Sequence, residues 1–162
     1  MVDEKEIWII LEKVCDPEVP VLTILDLGIV RDVSIDAEGK IQVSITPTYT
    51  GCPAMFRIEQ DIKEELGNSG FQNVEVKHII SPAWSTDWLT ENGRRKLKEY
   101  GIAPPVNEPD KSVLFADPIV VPCPKCDSKD TKMVSQFGST ACKAHYQCNT
   151  CLEPFDYFKC LK

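Results

Sequence analysis

Two C-x-x-C pairs, Cys123-Pro124-Lys125-Cys126 and Cys148-Asn149-Thr150-Cys151, stand 21 residues apart and constrain this chain more than any other feature. Two cysteines around a tight turn can aim both sulfurs at one ion about 2.3 Å away, and a hairpin joining two such turns closes a tetrahedral site. Four thiolates suit zinc first and iron second. Six of the eight cysteines fall in the last 40 residues. The opening Met1-Val2-Asp3-Glu4-Lys5-Glu6 carries acids where a secretory signal would carry bases, so a cytoplasmic location is expected. Disulfides do not persist there, and clustered cysteines point to metal. Residues 118–162, 45 in all, have too little core to fold alone. Ligation can supply such a module with roughly 10–16 kcal/mol. Four protein ligands leave no open coordination position, so the site expected at Cys123, Cys126, Cys148 and Cys151 is structural, not catalytic.

The preceding hundred or so residues read as an α/β domain. Residues 4–14 form an amphipathic pattern with Asp3 as N-cap, ended by Asp16-Pro17-Glu18-Val19-Pro20. Ile29 to Ile35 and Ile41 to Ile45 alternate apolar and polar around Asp36-Ala37-Glu38-Gly39-Lys40, which predicts an antiparallel hairpin. Met55, Ile58, Ile62 and Leu66 follow Cys52-Pro53 at helical spacing, with Gly67 as the stop. Val74, Val76 and Ile79-Ile80 suggest a third strand, and Thr90 to Tyr100 a further helix. The expected division is an α/β domain over 1–101, a proline-containing linker over 102–117 and a ribbon over 118–162.

Charge excludes some functions. Residues 1–117 hold 12 Lys+Arg against 21 Asp+Glu, a net of −9, and residues 118–162 hold 6 Lys against 4 acids, a net of +2. Nucleic-acid binding draws on a clustered basic face, which this chain lacks. No apolar run approaches the roughly 20 residues that cross a bilayer.

Cys52 is the candidate functional thiol of the first domain. Proline favours the first helical position, so Cys52 is expected at the N-cap, where the helix dipole can depress a thiol pKa. No histidine adjoins it as a base, which argues against a thiol hydrolase. Cys142, in Phe137-Gly138-Ser139-Thr140-Ala141-Cys142-Lys143, is either a buried ribbon thiol or a second functional one. Cys160 is placed on a terminal strand, and His145 is read as structural. Asp16, Glu18 and Asp26 are read as turn acids, and the acids of residues 59–65 as a solvated helix face. Trp84 and Trp88 are read as packing residues, with the ribbon as their partner.

The stretches Asp16-Pro17-Glu18-Val19-Pro20, Asp26-Leu27-Gly28-Ile29-Val30 and Thr48-Tyr49-Thr50-Gly51-Cys52-Pro53-Ala54 resemble the SufT-like family of iron–sulfur assembly-associated domains. In that family a reactive cysteine occupies the position of Cys52. The Phe137–Lys143 stretch and Glu153-Pro154-Phe155-Asp156-Tyr157-Phe158-Lys159-Cys160, with the two knuckles, resemble the PaaD family. These are the D components of the phenylacetyl-CoA epoxidase system, a multicomponent monooxygenase. The resemblance implies an accessory maturation protein that is not itself an enzyme. Its expected role is to help insert an iron–sulfur cluster or iron into the reductase or oxygenase components, its partners along with iron–sulfur assembly proteins. Structural zinc and a transient cluster or iron are the implied cofactors. The competing expectation is an inert structural subunit of the same system.

Overall fold

The computed structural model describes residues 3–106 and 119–159, which form two compact units. Most of the expected linker, Pro118 and Cys160 lie outside the described residues.

The first unit holds residues up to Trp84 together with Trp88–Thr90. Helix α1 (Glu4–Leu11) opens on Asp3, whose carboxylate accepts the Lys5 N–H at 3.1 Å. It buries Ile7, Ile10 and Leu11. Strands β1 (Val30–Ile35) and β2 (Ile41–Ile45) form the antiparallel hairpin, its turn closed by the Asp36 carboxylate on the N–H groups of Glu38 and Lys40. Helix α2 (Ala54–Asn68) then crosses over to β3 (Val74–His78), which pairs parallel with β2 in the sheet order β1-β2-β3. Ile58, Ile62 and Leu66 are fully buried, as their spacing requires.

The loop between α1 and β1 is held by its own acids. Asp16 accepts the N–H groups of Glu18 and Val19 at 2.7 and 2.8 Å, and Asp26 accepts that of Thr23 at 3.1 Å. Both carboxylates are buried, so these are the turn acids expected, each occupied by backbone donors. The tryptophans correct the sequence reading, because they pack within the first unit. Trp84 Nε1 donates to the Leu27 carbonyl at 2.7 Å, and the Trp88 backbone lies against Gly28. The Arg31 guanidinium stacks 3.7 Å from the Trp88 ring centroid.

The second unit holds residues 85–87 and the described residues from Glu91 onward. Its elements are α3 (Glu91–Tyr100), β4 (Ile102–Ala103), β5 (Thr131–Ser135), β6 (Lys143–Cys148) and β7 (Pro154–Phe158), with sheet order β4-β7-β6-β5. This grouping departs from the boundary expected after residue 101. Ile102 and Ala103 pair parallel with Asp156 and Tyr157, so the start of the supposed linker is an edge strand of the ribbon sheet. Arg94 of α3 donates to the carbonyls of Pro105 and Thr86. The core gathers Ala103, Val121, Ala144, Tyr146, Phe155 and Tyr157 around Cys123 and Cys148. Tyr146 stacks on Phe155 and meets Tyr157 edge-on at 5.6 Å. The chain is thus α/β, a small three-stranded α/β unit followed by a four-cysteine ribbon. Among the described residues no helix is long and apolar enough to cross a membrane.

Candidate functional site

The ribbon brings its four knuckle sulfurs within 4.8 Å of one another. Cys123 and Cys151 sulfurs are 3.7 Å apart, and those of Cys126 and Cys148 are 3.6 Å apart. A tetrahedron with bonds of about 2.3 Å has edges of about 3.8 Å, so the spacing fits one zinc-sized ion. Each knuckle is closed the same way. The residue after its second cysteine, Asp127 or Leu152, takes a positive φ of 59° or 65°. Cys123 N–H then donates to the Ser128 carbonyl, and Cys148 N–H to that of Glu153, both at 2.9 Å. Backbone N–H groups also face the sulfurs, as Cys151 N–H faces Cys148 Sγ at 3.5 Å.

Protonation in the cluster is uneven. The Cys151 N–H, together with Thr150 N–H and the neighbouring thiols, lowers the Cys148 thiol to about 6. At Cys126 the Ser128 N–H lowers the pKa, but desolvation and the surrounding thiols outweigh it and raise the thiol to about 12. Four crowded sulfurs cannot all carry charge unless a cation joins them. A divalent ion held by these four sulfurs would displace the retained protons and offset two of the four thiolate charges.

Cys52 lies in the first unit, at the carboxyl end of the β2–β3 parallel pair. A turn with Cys52 N–H on the Tyr49 carbonyl at 3.3 Å, and Gly51 at φ 77°, brings the chain into α2. Cys52 is half-buried. The N-cap is Pro53, already at φ −67° and ψ −23°, so Cys52 sits one residue earlier than its expected position. The expectation of a depressed pKa is also overturned. Burial raises the Cys52 thiol above its ordinary value, outweighing the Ala54 N–H and the Tyr49 hydroxyl, which lower it, and the carboxylates of Glu18 and Asp16 add to the rise. A helix start favours the thiolate, but here removing that charge from water costs more than the helix start returns.

Cys142 lies in the second unit, buried, with its sulfur 3.0 Å from Thr140 Oγ1. The small residues before it let the loop cross close over the sheet. A Cβ on Gly138 would stand 3.1 Å from Asp156 Oδ1 and 3.3 Å from Lys143 Cβ. His145 Nδ1 is 3.4 Å from Asp156 Oδ1. Sequence reasoning passed over Tyr49, because only the 49–52 turn reveals that its hydroxyl meets the cysteine three residues on.

Residues 4–77 match the family described as iron–sulfur cluster assembly protein, and residues 107–159 match the PaaD zinc beta ribbon domain. The chain is 49% identical to a candidate D component of 1,2-phenylacetyl-CoA epoxidase from Escherichia coli (strain K12), over 96% of this chain and 92% of that one. It is 32% identical to an Fe-S protein maturation auxiliary factor of Porphyromonas gingivalis, over 58% of this chain and 90% of that one. A crystal structure of the domain of unknown function DUF59 from Bacillus anthracis superposes with a TM-score of 0.55 at 30% identity, covering 58% of this chain and 90% of that one. On this likeness along nearly its whole length, the chain belongs to the PaaD family of phenylacetyl-CoA epoxidase components, an iron–sulfur assembly domain joined to a zinc ribbon.

Proposed function

We propose that the chain is an accessory maturation protein of the phenylacetyl-CoA epoxidase system that helps place an iron–sulfur cluster or iron in a reductase or oxygenase component. Cys52 acts as the transient ligand. A structural zinc ion on Cys123, Cys126, Cys148 and Cys151 holds the ribbon. The observation that carries this reading is the division of thiols. Four are gathered into a cage that leaves no open position, while Cys52 stands half-exposed at a helix start in an assembly-type domain. Cys142 is the second candidate thiol of the chain, its sulfur buried against Thr140 in the ribbon.

The raised Cys52 thiol suits a carrier. It stays protonated without cargo, which protects it from oxidation, and it gives up a proton when metal binds. Below the thiol pKa, loading through this one ligand is expected to strengthen about tenfold per pH unit. Iron titrations at pH 7 and pH 8 check this, and a pH-independent affinity contradicts a single deprotonating thiol.

The direct test is metal and acid-labile sulfide content after anaerobic reconstitution of wild type, Cys52→Ala and Cys142→Ala, followed by transfer to the apo-reductase. Cys52→Ala is expected to keep one zinc per chain and to lose both the iron–sulfur chromophore and transfer. Full transfer by Cys52→Ala sinks the proposal. Zinc alone in every protein, with co-purification at fixed stoichiometry, favours the inert structural subunit.

A further inference from the structure

The first unit carries a second feature beside Cys52. Phe56 is 72% exposed, although the other apolar side chains of α2 are buried, and Ile80 is 71% exposed. A single exposed hydrophobe is ordinary, and two need a physical link before they mean anything. Here a side-chain hydrogen bond supplies it. Glu59, one turn after Phe56 on α2, receives His78 Nε2 at 2.9 Å, and His78 lies two residues before Ile80. Glu59 is also paired with Lys63 at 2.6 Å.

Topology places this surface toward the same end of the sheet as the thiol. β2 and β3 run parallel, with Ile45 opposite His78 and the Ile79 N–H on the Ile45 carbonyl at 2.8 Å. The chain leaving Ile45 forms the loop to Cys52 and enters α2, so Cys52, Phe56 and Ile80 all sit at the carboxyl end of the same strand pair. The Met55 N–H on the Cys52 carbonyl closes the turn that leads from Cys52 into α2, and Phe56 follows Cys52 by four residues.

Charge selects the occupant. Residues 3–84 contain 7 Lys+Arg and 15 Asp+Glu, a net of −8, and Asp16 and Glu18 lie near enough to Cys52 to raise its thiol pKa. A second copy would set −8 against −8. We infer that Phe56 and Ile80, joined by the Glu59–His78 pair, form the docking surface for the client protein, which presents an apolar surface rimmed by lysines and arginines. This inference rests on the maturation role proposed above and names how the client is brought to Cys52. The net negative charge of the unit steers a basic partner in, and the two apolar side chains hold it.

The test measures binding of the full chain to the purified apo-reductase and apo-oxygenase components separately. The variants are Phe56→Ser/Ile80→Ser, Cys52→Ala and Ile9→Ser, the last removing another exposed hydrophobe from α1. The double variant is expected to weaken binding to one component by about tenfold or more, the scale of a lost hot spot. Ile9→Ser is expected to bind as wild type, Cys52→Ala is read for cluster loading, and added salt is expected to slow association. Unchanged affinity of the double variant overturns the inference, as does a wild type that binds neither component. A wild-type dimer dissolved by Phe56→Ser/Ile80→Ser overturns it in favour of self-association. Thermal melting confirms that the exposed substitutions leave the fold intact. Cluster loading on Cys52, read from the chromophore, reports on the maturation role independently of these affinities.

Discussion

Replacing Cys126 by Ser is expected to unfold the ribbon as completely as replacing Cys148, although Cys126 is exposed and Cys148 is fully buried. For thiols that merely pack, an exposed Cys→Ser change would shift stability by about 0.5 kcal/mol or less. Ligands of one ion behave otherwise, since each completes the same coordination shell. Zinc ligation supplies roughly 10–16 kcal/mol to modules of this kind, comparable with the whole net stability of an ordinary domain, about 5–15 kcal/mol. The apolar remainder is Ala103, Val121, Ala144, Tyr146, Phe155 and Tyr157 with a few partly buried neighbours, flanked by Leu97, Ile102 and Phe158, a small core for four strands. Chelation of the wild-type chain is expected to have the same effect as either substitution. Hydrogen exchange of the β6 and β7 amides checks it, alongside near-ultraviolet dichroism from the Tyr146, Phe155 and Tyr157 cluster. Protected β6 and β7 amides in metal-free protein would show that the four sulfurs are incidental to folding. A full loss with Cys148→Ser and a negligible one with Cys126→Ser would show that burial, not ligation, is what matters.

Gly28→Val carries the next largest expected effect, a destabilisation of roughly 2–5 kcal/mol from two sources. The backbone at Gly28 has φ 68°, which costs any L side chain about 1–2 kcal/mol. A Cβ there would also meet the Trp88 carbonyl oxygen at 2.4 Å and Trp88 Cβ at 2.8 Å, and a backbone oxygen cannot swing aside as a long side chain can. The neighbouring contacts resist a shift as well. Trp84 Nε1 is bonded to the Leu27 carbonyl, Thr90 N–H to the Asp26 carbonyl, and Arg31 stacks on Trp88. Gly39→Ala supplies the comparison, because its φ is 79° and a Cβ meets nothing within 4 Å. That change is expected to cost about 1 kcal/mol, the conformational part alone. Urea midpoints of the two variants decide the matter, with tryptophan fluorescence following the Trp84–Trp88 segment. Equal midpoints would mean that the Trp88 backbone yields and the close approach contributes nothing.

Much of this protein is legible along the chain. The period of Ile58, Ile62 and Leu66 specifies α2 and its buried face, and the alternation around Asp36–Lys40 specifies the first hairpin. The knuckle spacing foretells a four-sulfur cluster that the fold brings within 4.8 Å. These features depend on residues a few positions apart, or on two short motifs that one ion would join. The Asp16 and Asp26 turns are legible for the same reason, since their acceptors serve donors two or three residues away.

Other features were decided only by folding. Ile102 and Ala103 look like linker because their partners, Asp156 and Tyr157, lie more than fifty residues on. Trp84 and Trp88 show helical spacing, yet their positions depend on Leu27, Gly28 and Arg31. The direction of the Cys52 pKa shift is the clearest case. A helix start favours a thiolate, but burial opposes it, and Asp16 and Glu18 arrive from a loop more than thirty residues earlier. Local order is written in neighbours along the chain, whereas solvation and electrostatic potential are sums over every group that folding brings near. That is why the sequence alone determined which thiols stand together, and only the tertiary structure decided which way the thiol at Cys52 is pushed.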